Sequence, residues 1–188
     1  MDDPKLQKCI DEVQSGNSSA FSYVVEKYQT LAFHIALPIV KKEEDAEEVV
    51  QDAFVKIYRF IHQFNGESRF SSWLYKIVYN TALTRARLNA KQLLRKEDVA
   101  NHSSSEEFKL VPFQDDLELQ NMKQYIGVAM NQLQADEKLL VTLFYLGEKS
   151  ISEISEITTW KASKCKVKLM RTRKKLKVLL KNRKDDLI

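Results

Sequence analysis

The sequence has few of the residues that interrupt helices or build covalent and metal-bound frameworks. Its 188 residues include four glycines, three prolines, two cysteines and three histidines. So little glycine and proline favours helices over a turn-rich β-protein. Cys9 and Cys165 are isolated and form no C-x-x-C pair, which argues against a disulfide framework or a zinc site and fits a reducing cytosol.

Several functional classes lack their usual signals. The longest apolar run, 35–40, is short and interrupted by Pro38, and the Met-Asp-Asp-Pro start resembles no secretion signal. The histidines have no metal-ligand spacing, and neither a glycine-rich phosphate loop nor a nucleophile constellation is present. We therefore expect a cytoplasmic protein without a membrane span, a catalytic site, a metal, a cofactor or a small-molecule substrate.

Charge is strongly segregated along the chain, although the net charge is a modest +4. Residues 43–52 hold six acids and no base, whereas 73–96 hold six bases and no acid. Residues 161–184 contain twelve lysines and arginines, again without an acid. The acidic segment suits a basic partner surface, and the basic segments point to nucleic acid.

Apolar residues recur at helical spacing in three early segments. The first runs from Ser18 to about Leu37, with Pro38 expected to kink or stop it, and the second covers 46–61. An Asn65-Gly66 turn then breaks the periodicity, which resumes from Trp73. The early chain therefore predicts a small helical domain, residues 1–93.

A change of composition separates this domain from a second helical block. Residues 94–117 are rich in Asn, Ser and acidic side chains and include Pro112, so they predict a flexible acidic linker. Leucine-rich helical spacing resumes after Glu118. We expect an all-α protein with two small helical domains, the second spanning 118–188.

The C-terminal domain carries a helix-turn-helix pattern. Isoleucines in 150–157 form one apolar stripe, Ser150 and Glu153 suit a capping box, and a Thr-Thr-Trp break precedes a basic helix expected to begin near Ala162. A basic helix pinned by a short apolar helix is the geometry that lays a recognition helix in the major groove. Duplex DNA is the expected ligand.

Several motifs together resemble one protein family. They are the run 45–54, the Phe64-Asn-Gly segment, the segment 70–80 and a helix-turn-helix that ends in Arg171-Thr-Arg173. In this order and spacing they resemble the extracytoplasmic-function group of bacterial sigma factors, over nearly the whole chain. The resemblance implies a minimal sigma factor that binds core RNA polymerase and promoter DNA and directs promoter-specific initiation, without ATP. An anti-sigma factor is a further implied partner.

The resemblance implies that the acidic helix docks on the coiled coil of the largest polymerase subunit, with a further contact to the polymerase flap. Complementary charge would mainly set the encounter rate and the register. The alternative is a solvated face whose acids complement the helix dipole. The docking residues implied by the resemblance are Asp45, Glu48, Gln51, Asp52 and Phe54.

The same resemblance implies that 64–70 holds a base flipped from the minus ten element while the next helix handles the opened strand. Trp73 is expected in the scaffold, because its register matches apolar neighbours. Tyr75 and Tyr79 are equally compatible with surface stacking and with solvated aromatics. The minus ten contacts implied are Phe64, Asn65, Gly66, Asn80, Arg85 and Arg87, although Phe64 could instead pin the end of the loop.

In the helix-turn-helix, residues of the basic helix align with positions that face the minus thirty-five element. Thr159 stands where the family usually has glycine, so the turn is expected to differ in shape. Cys165 is interpreted as an inert small residue rather than a redox switch. The contacts implied are Lys164, Lys166, Val167, Met170 and Arg171, with Lys168, Arg173 and Lys174 on phosphates.

Two rival hypotheses come from other functional classes. One is a stand-alone helix-turn-helix regulator that binds DNA but never contacts polymerase, which would leave the acidic helix unexplained. The other is a protein that binds a membrane surface or a partner through 161–184 as a basic amphipathic helix.

Overall fold

The computed structural model describes residues 3–95 and 125–185. Within these two ranges, the regular structure is helical and no residue lies in a β-strand. The all-α prediction is therefore confirmed.

The first helix, α1 (Pro4–Gln14), was not predicted from the sequence. Its N-cap is Asp3, whose carboxylate accepts a hydrogen bond from the backbone N–H of Lys5 at 3.0 Å. Proline at the first helical position suits a site where no backbone donor is needed. Leu6, Ile10 and other apolar residues bury one face of α1, so the missed signal was a proline-started amphipathic pattern.

Three longer helices form the body of the first region. They are α2 (Phe21–Val40), α3 (Glu43–Phe60) and α4 (Phe70–Arg95). Pro38 lies in the last turn of α2, where the proline ring removes one backbone hydrogen bond without ending the helix. The helix stops instead at Lys41, which adopts a left-handed φ of 70°.

The apolar faces of these helices meet in a common core. Ile35 of α2, Ile57 of α3 and Leu74 of α4 are all fully buried. The helix α1 packs on α2 and on a short 3₁₀ turn, Ile61–Gln63, that follows α3. The exposed sides of α3 and α4 are thereby held in a fixed relation to each other.

The second region consists of shorter elements before one long helix. A helical segment over 125–131 (α5) precedes α6 (Ala135–Val141), which continues as a π-helical turn through Leu146. A Cβ at Gly147 would lie 2.8 Å from the carbonyl oxygen of Leu143, so the close approach after this turn requires glycine. Then follow α7 (Ile151–Thr158) and α8 (Ala162–Asp185).

The two regions pack directly on each other. The π-helical turn and α6 contact α2, and α7 contacts α4. Leu143, Ile154 and Ile157 are consequently part of the same apolar cluster as the core of the first region. The predicted linker lies outside the described residues beyond Arg95, so the domain limits 1–93 and 118–188 stay predictions.

Candidate nucleic-acid interface

The acidic face of α3 divides into an exposed part and a part bound to α4. Glu48, Gln51 and Asp52 are exposed. Asp45 is turned inward, where its carboxylate accepts hydrogen bonds from the Arg85 Nε at 3.0 Å and from the Asn89 amide at 2.9 Å. The outer edge of the helix therefore remains available to a partner, while Asp45 ties α3 to α4.

Arg85 joins two sets of residues that the sequence assigned to different partners. Besides Asp45, its guanidinium contacts the carboxylate of Glu48. Arg85 was expected on DNA, and both acids were expected on polymerase. Their ion pairs make the edge between α3 and α4 one continuous polar surface, in which the charge of Arg85 is already partly compensated.

Phe54 lies beneath the acidic face rather than on it. Its side chain is 6% exposed and its ring packs edge-on against Phe21, with ring centroids 6.3 Å apart. Val55 and Tyr58, by contrast, are 50% and 41% exposed. Sequence reasoning selected neither residue as a contact, although Val55 lies about one helical turn and Tyr58 about two turns beyond the exposed Gln51.

The Asn65-Gly66 turn is present as predicted. Gly66 has a φ of 76°, a conformation that glycine adopts without strain, and the Asn65 side-chain oxygen accepts the backbone N–H of Glu67 at 3.2 Å. Both Asn65 and Gly66 are exposed at the tip. The turn thus presents a small backbone surface that another molecule can approach closely.

The entrance to this loop is fixed by α1. The Gln14 amide donates hydrogen bonds to the carbonyl oxygens of Ile61 at 2.7 Å and Phe64 at 3.3 Å. Both bonds join residues far apart in sequence, and no local pattern could have revealed them. Gln14 is therefore a positioning residue that sequence reasoning missed.

An aromatic group closes the base of the loop. The ring of Phe64 lies 5.2 Å from that of Phe70 and 5.5 Å from that of Trp73, between ring centroids. Phe70 is fully buried, and Phe64 and Trp73 are half-buried. The scaffold interpretation of Trp73 fits this packing, and Phe64 and Phe70 do pin the two ends of the loop.

The basic face of α4 continues from the loop. Asn80 and Arg87 are exposed and lie seven residues apart, hence nearly on one side of the helix. The Thr84 hydroxyl donates to the backbone carbonyl of Asn80 at 2.9 Å, a bond within the helix that does not involve the exposed Asn80 side chain. Asn80 and Arg87 together offer a polar track that leads away from the Gly66 tip.

Both expectations for Tyr75 and Tyr79 were wrong. Their side chains are 3% and 5% exposed, because this face of α4 packs against the second region. Burial raises the pKa of Tyr75 well above its usual range, with a contribution from Tyr28. It also raises the pKa of Tyr79, although the hydrogen bond from Trp160 opposes this shift.

The helix-turn-helix forms with its predicted cap. The Ser150 hydroxyl accepts the Glu153 backbone N–H at 3.2 Å, and the Glu153 carboxylate accepts the Ser150 backbone N–H at 2.9 Å. Thr159 has a left-handed φ of 61° despite its branched side chain, so the backbone takes up the conformation that glycine would favour. The expected change in turn shape is not seen at this residue.

The turn contains no glycine, and two side-chain hydroxyl groups form hydrogen bonds that stabilise it. The Thr159 hydroxyl donates to the Thr158 carbonyl at 2.6 Å, and the Ser155 hydroxyl donates to the Trp160 carbonyl at 2.6 Å. Thr159, which stands where the family usually has glycine, and Ser155 thus both contribute hydrogen bonds to the same turn. Such bonds offset part of the cost of a left-handed non-glycine residue.

The outer face of α8 is open to solvent. The helix α8 begins at Ala162, as predicted. On its outer face, the apolar side chains of Val167 and Met170 are 45% and 51% exposed. Cys165 is fully buried on the opposite side, where burial raises its pKa and favours the inert thiol. The basic residues exposed along with the apolar pair are Lys164, Lys166 and Arg171.

Two of the residues expected on phosphates, Lys168 and Arg173, are held by neighbouring side chains. Lys168 forms an ion pair with Asp136 at the start of α6. The Arg173 Nε donates to the Tyr145 hydroxyl at 2.7 Å, and its guanidinium lies 4.8 Å from the Phe144 ring centroid. These contacts orient both side chains along the edge of α8 and reduce the entropy that each would lose on binding a phosphate.

Family models match both regions. The model for Sigma-70 region 2 matches residues 24–92, and the model for Sigma-70, region 4 matches residues 123–176. Together these matches cover more than half of the chain. The chain belongs to the sigma-70 family. It is an extracytoplasmic-function RNA polymerase sigma factor, of a family that is not enzymatic.

Relatives match the sigma factor along most of its length. It is 28% identical to the ECF RNA polymerase sigma-E factor of Haemophilus influenzae over 172 residues, which cover 89% of this chain and 90% of the relative. Identity to the sigma-E factor of Escherichia coli K12 is also 28%, over 175 residues and with the same coverages. A shorter match, 40% over 76 residues, links it to the RNA polymerase sigma-H factor of Pseudomonas aeruginosa, covering 40% and 39% of the two chains.

Two solved structures share the fold. CnrH in complex with the cytosolic domain of CnrY is 19% identical with a TM-score of 0.59, covering 93% of this chain and 96% of that one. The sigma factor RpoE in complex with the anti-sigma factor NepR from Bartonella quintana is 24% identical with a TM-score of 0.65, covering 86% and 96%. At these identities the likeness extends to the fold alone.

The described parts of the sigma factor contain neither a candidate metal site nor a membrane-spanning helix. Across 3–95 and 125–185, no group of three or more His, Cys, Asp or Glu side chains could hold a metal ion. A helix with the length and apolarity to cross a bilayer is likewise absent from these ranges.

Proposed function

We propose that the sigma factor docks on core RNA polymerase through the outer face of α3. The observation that carries this proposal is the exposure of Glu48, Gln51 and Asp52 beside the apolar Val55 and Tyr58, on a helix whose other face is fully packed. An acidic edge with apolar contacts suits a basic coiled coil, because charge steers the encounter and apolar burial supplies affinity. Asp45 and Phe54 support this face from beneath.

The loop 64–70 and the exposed track on α4 would hold the opened minus ten strand. A flipped base needs polar groups on its pairing edge and close approach by backbone, which Asn65 and Gly66 offer. Asn80 and Arg87 would then follow the strand, and Arg85 would join them where Glu48 releases it. Promoter opening would be driven by this binding energy.

The exposed face of α8 would read the minus thirty-five element in the major groove. Lys164, Lys166 and Arg171 can bind guanine edges or phosphates, and Val167 with Met170 can contact thymine methyl groups. Lys168 and Arg173 at the helix edge would bind phosphates. Such contacts imply affinity for DNA that falls by orders of magnitude between low and moderate salt.

The proposed setting is the cytoplasm, where core polymerase and promoter DNA are found. The flap of the polymerase would contact the second region, and an anti-sigma factor would hold the chain inactive. The anti-sigma proposal is supported by the family to which the chain belongs and by the solved complexes of CnrH with CnrY and of RpoE with NepR.

Co-elution with bacterial core RNA polymerase on gel filtration tests the docking face. We expect the wild-type chain to co-elute and the double variant Gln51→Lys plus Asp52→Lys to lose the complex, because two new cations face a basic partner. The matched control is Glu26→Lys plus Gln29→Lys, which makes the same change of net charge on the exposed side of α2. The control should co-elute like the wild type.

The same experiment separates the proposal from the stand-alone regulator. A folded chain that never co-elutes with a competent core enzyme, yet binds duplex DNA, would favour the regulator. Equal co-elution of both double variants would place docking elsewhere than on α3. Co-sedimentation with liposomes as strong as DNA binding would instead favour the membrane-surface hypothesis for α8.

A further inference from the structure

Two adjacent aromatic side chains of the second region lie against an arginine of α8. Phe144 and Tyr145 belong to the π-helical turn Thr142–Leu146, and their rings meet at 75° with centroids 5.1 Å apart. The Arg173 guanidinium lies 4.8 Å from the Phe144 centroid and 5.5 Å from the Tyr145 centroid. Its Nε donates a hydrogen bond to the Tyr145 hydroxyl at 2.7 Å. These three residues are called the aromatic clamp.

The aromatic clamp differs in charge from the contacts between α6 and α8. Lys168 pairs with the Asp136 carboxylate and Lys175 with the Glu137 carboxylate, so an acid of the protein compensates the charge of each lysine. Arg173 is held instead by a hydroxyl and two rings, and none of its contacts within 3–95 and 125–185 is an ion pair. The aromatic clamp therefore orients a cation without neutralising it.

The hydrogen-bond donors of the aromatic clamp exceed those that the protein uses. Arginine has five N–H donors in a planar fork, and the bond to Tyr145 occupies the one on Nε. Because the Tyr145 hydroxyl accepts this bond, its own proton can be donated to a second acceptor. Both side chains are exposed, Tyr145 by 51%. One oxyanion can thus be bound by the guanidinium fork and the phenolic hydroxyl together.

The aromatic clamp has a well-packed support. Phe144 packs against the shared apolar core, and the Gly147 backbone N–H closes the π-helical turn by donating to the Thr142 carbonyl at 2.9 Å. Side chains that are already oriented lose less entropy on binding than mobile ones. The planar fork of arginine matches a phosphate through two parallel bonds while its face stacks on aromatic rings.

The surroundings of the aromatic clamp indicate where such a phosphate comes from. Arg173 follows Met170 by three residues, so it lies beside this exposed residue of the outer face of α8. Lys174 and Lys177 are exposed on the same helix, and 161–184 contains no acid. A row of cations beside a surface proposed for the major groove suits the repeated phosphates of a DNA strand.

We propose that the aromatic clamp binds a backbone phosphate of the duplex at the minus thirty-five element, and that Tyr145 both positions Arg173 and donates a hydrogen bond to that phosphate. Arg173 was expected on a phosphate from the sequence, whereas no pattern selected Tyr145. The inference rests on the proposed function of α8, so a failure of the clamp and a failure of DNA binding by α8 must be distinguished.

Equilibrium binding of the full chain to duplex DNA tests the aromatic clamp. The probe is a fluorescent duplex that the wild-type chain enriches from a random-sequence pool, and fluorescence anisotropy is recorded at several salt concentrations. The variants are Tyr145→Phe, Arg173→Gln and the two combined. Tyr125→Phe is the matched control for the hydroxyl, in the same region, and Lys8→Gln removes one exposed cation from α1.

We expect Tyr145→Phe to weaken binding about 2–10-fold with little change in salt dependence, because a neutral hydrogen bond is lost. Arg173→Gln should weaken binding further and reduce the slope of log affinity against log salt by about 0.9, since one phosphate contact is lost. Adding Tyr145→Phe to Arg173→Gln should cost less than it does alone, because both residues act on one phosphate. Both controls should bind like the wild type.

Ethylation interference on the same duplex gives a readout that a purely structural role of Tyr145 would not change. Ethylation of the phosphate in the clamp should weaken the wild-type complex, and both Tyr145→Phe and Arg173→Gln should lose sensitivity at that one phosphate. If Tyr145→Phe loses helical circular dichroism, Arg173→Lys decides the result, since lysine keeps the charge but lacks the fork. It should bind more weakly with an unchanged salt slope.

Wild-type affinity for Tyr145→Phe, or for Arg173→Lys where that variant decides, would overturn the aromatic clamp and leave DNA binding by α8 standing. The same holds if every phosphate keeps its sensitivity in both variants. A wild-type chain that enriches no duplex would overturn the proposed function of α8 and the clamp with it. Full DNA affinity combined with lost co-elution with core polymerase would assign the Tyr145 surface to a protein partner and overturn the clamp.

Discussion

The two regions of the sigma factor are stabilised in different ways. The first region, 3–95, encloses fully buried side chains such as Ile35 and Leu74 between long helices. The second region, 125–185, has a small apolar cluster of its own around Met130 and Leu133. Other buried apolar residues of this region, such as Leu143 and Ile154, belong to a core shared with the first region. The second region therefore depends on its contact with the first to keep Leu143, Ile154 and Ile157 out of water.

Equivalent leucine truncations should show this difference most clearly. Leu74→Ala truncates a fully buried side chain of α4, and we expect it to lower the free energy of unfolding of the first region by about 3–5 kcal/mol. Leu133→Ala lies in the small cluster and should cost about 2 kcal/mol. Urea unfolding can follow each region separately through Trp73 in a Trp160→Phe background and through Trp160 in a Trp73→Phe background. An equal loss of unfolding free energy for Leu74→Ala and Leu133→Ala would contradict the view that the two regions are stabilised differently.

The ion pair between Asp45 of α3 and Arg85 of α4 should contribute measurably to the stability of the first region. Asp45 has a side chain 15% exposed in contact with Arg85, so Asp45→Ala should destabilise the first region by about 1–2 kcal/mol. The control pair, Lys8 with Glu12, is exposed, and Lys8→Ala should cost under about 0.5 kcal/mol. A double-mutant cycle with Arg85→Ala measures the coupling. A coupling energy near zero would contradict the view that this pair joins the two helices.

Acid should weaken both regions through one carboxylate in each. In the second region, burial raises the pKa of Glu153, but hydrogen bonds from Ser150 and Ser72, together with Lys149, lower it from 4.5 to about 2. Because the folded pKa is depressed, the stabilisation is present above about pH 4.5 and is lost as the pH falls toward 2. Monitored through Trp160, Glu153→Gln should flatten this dependence, and an unchanged acid profile would contradict the assignment.

Asp3 provides the matching test in the first region. Hydrogen bonds from Lys27, Tyr23 and the backbone of Lys5 lower its pKa from 3.8 to about 2, so its contribution is lost in acid over a similar window. Asp3→Asn should flatten the acid profile recorded through Trp73 and leave that of Trp160 unchanged. A change in both profiles would show that the regions unfold as one unit.

The smallest expected effect concerns one left-handed residue in each region. Thr159→Gly should stabilise the second region by about 1 kcal/mol, because glycine adopts a φ of 61° without strain. Lys41→Gly, at a φ of 70° after α2, should stabilise the first by about 0.5 kcal/mol, since lysine is not branched at Cβ. Loss of the Thr159 hydroxyl bond offsets part of the first gain. Thermal unfolding of the two variants measures both gains in stability. A larger gain for Lys41→Gly than for Thr159→Gly would contradict this prediction.

Much of the fold was predictable because helical periodicity and turn signals are local. The positions of Gly66, the Ser150–Glu153 capping box and the start of α8 at Ala162 were all anticipated from neighbouring residues. The helix α1 was missed although Pro4 and its apolar pattern signalled it. Contacts between distant residues were inaccessible, because no local pattern encodes which surfaces meet.

The candidate site shows the same limit. Sequence patterns and family resemblance selected exposed residues such as Asp52 and Arg171 for two kinds of partner. They could not show that Asp45 pairs with Arg85 or that Tyr75 is buried under the second region. Both facts depend on packing between elements that are 30 or more residues apart.

Run-off transcription with purified core RNA polymerase tests the central claim most directly. The full chain is added to core enzyme on a pool of bacterial promoter fragments, and transcript start sites are mapped. We predict transcripts from discrete starts that share a minus ten and a minus thirty-five element, a loss of these transcripts with Gln51→Lys plus Asp52→Lys, and retention with Glu26→Lys plus Gln29→Lys. Core enzyme that binds the chain yet gives no sequence-specific starts on any fragment would contradict the account.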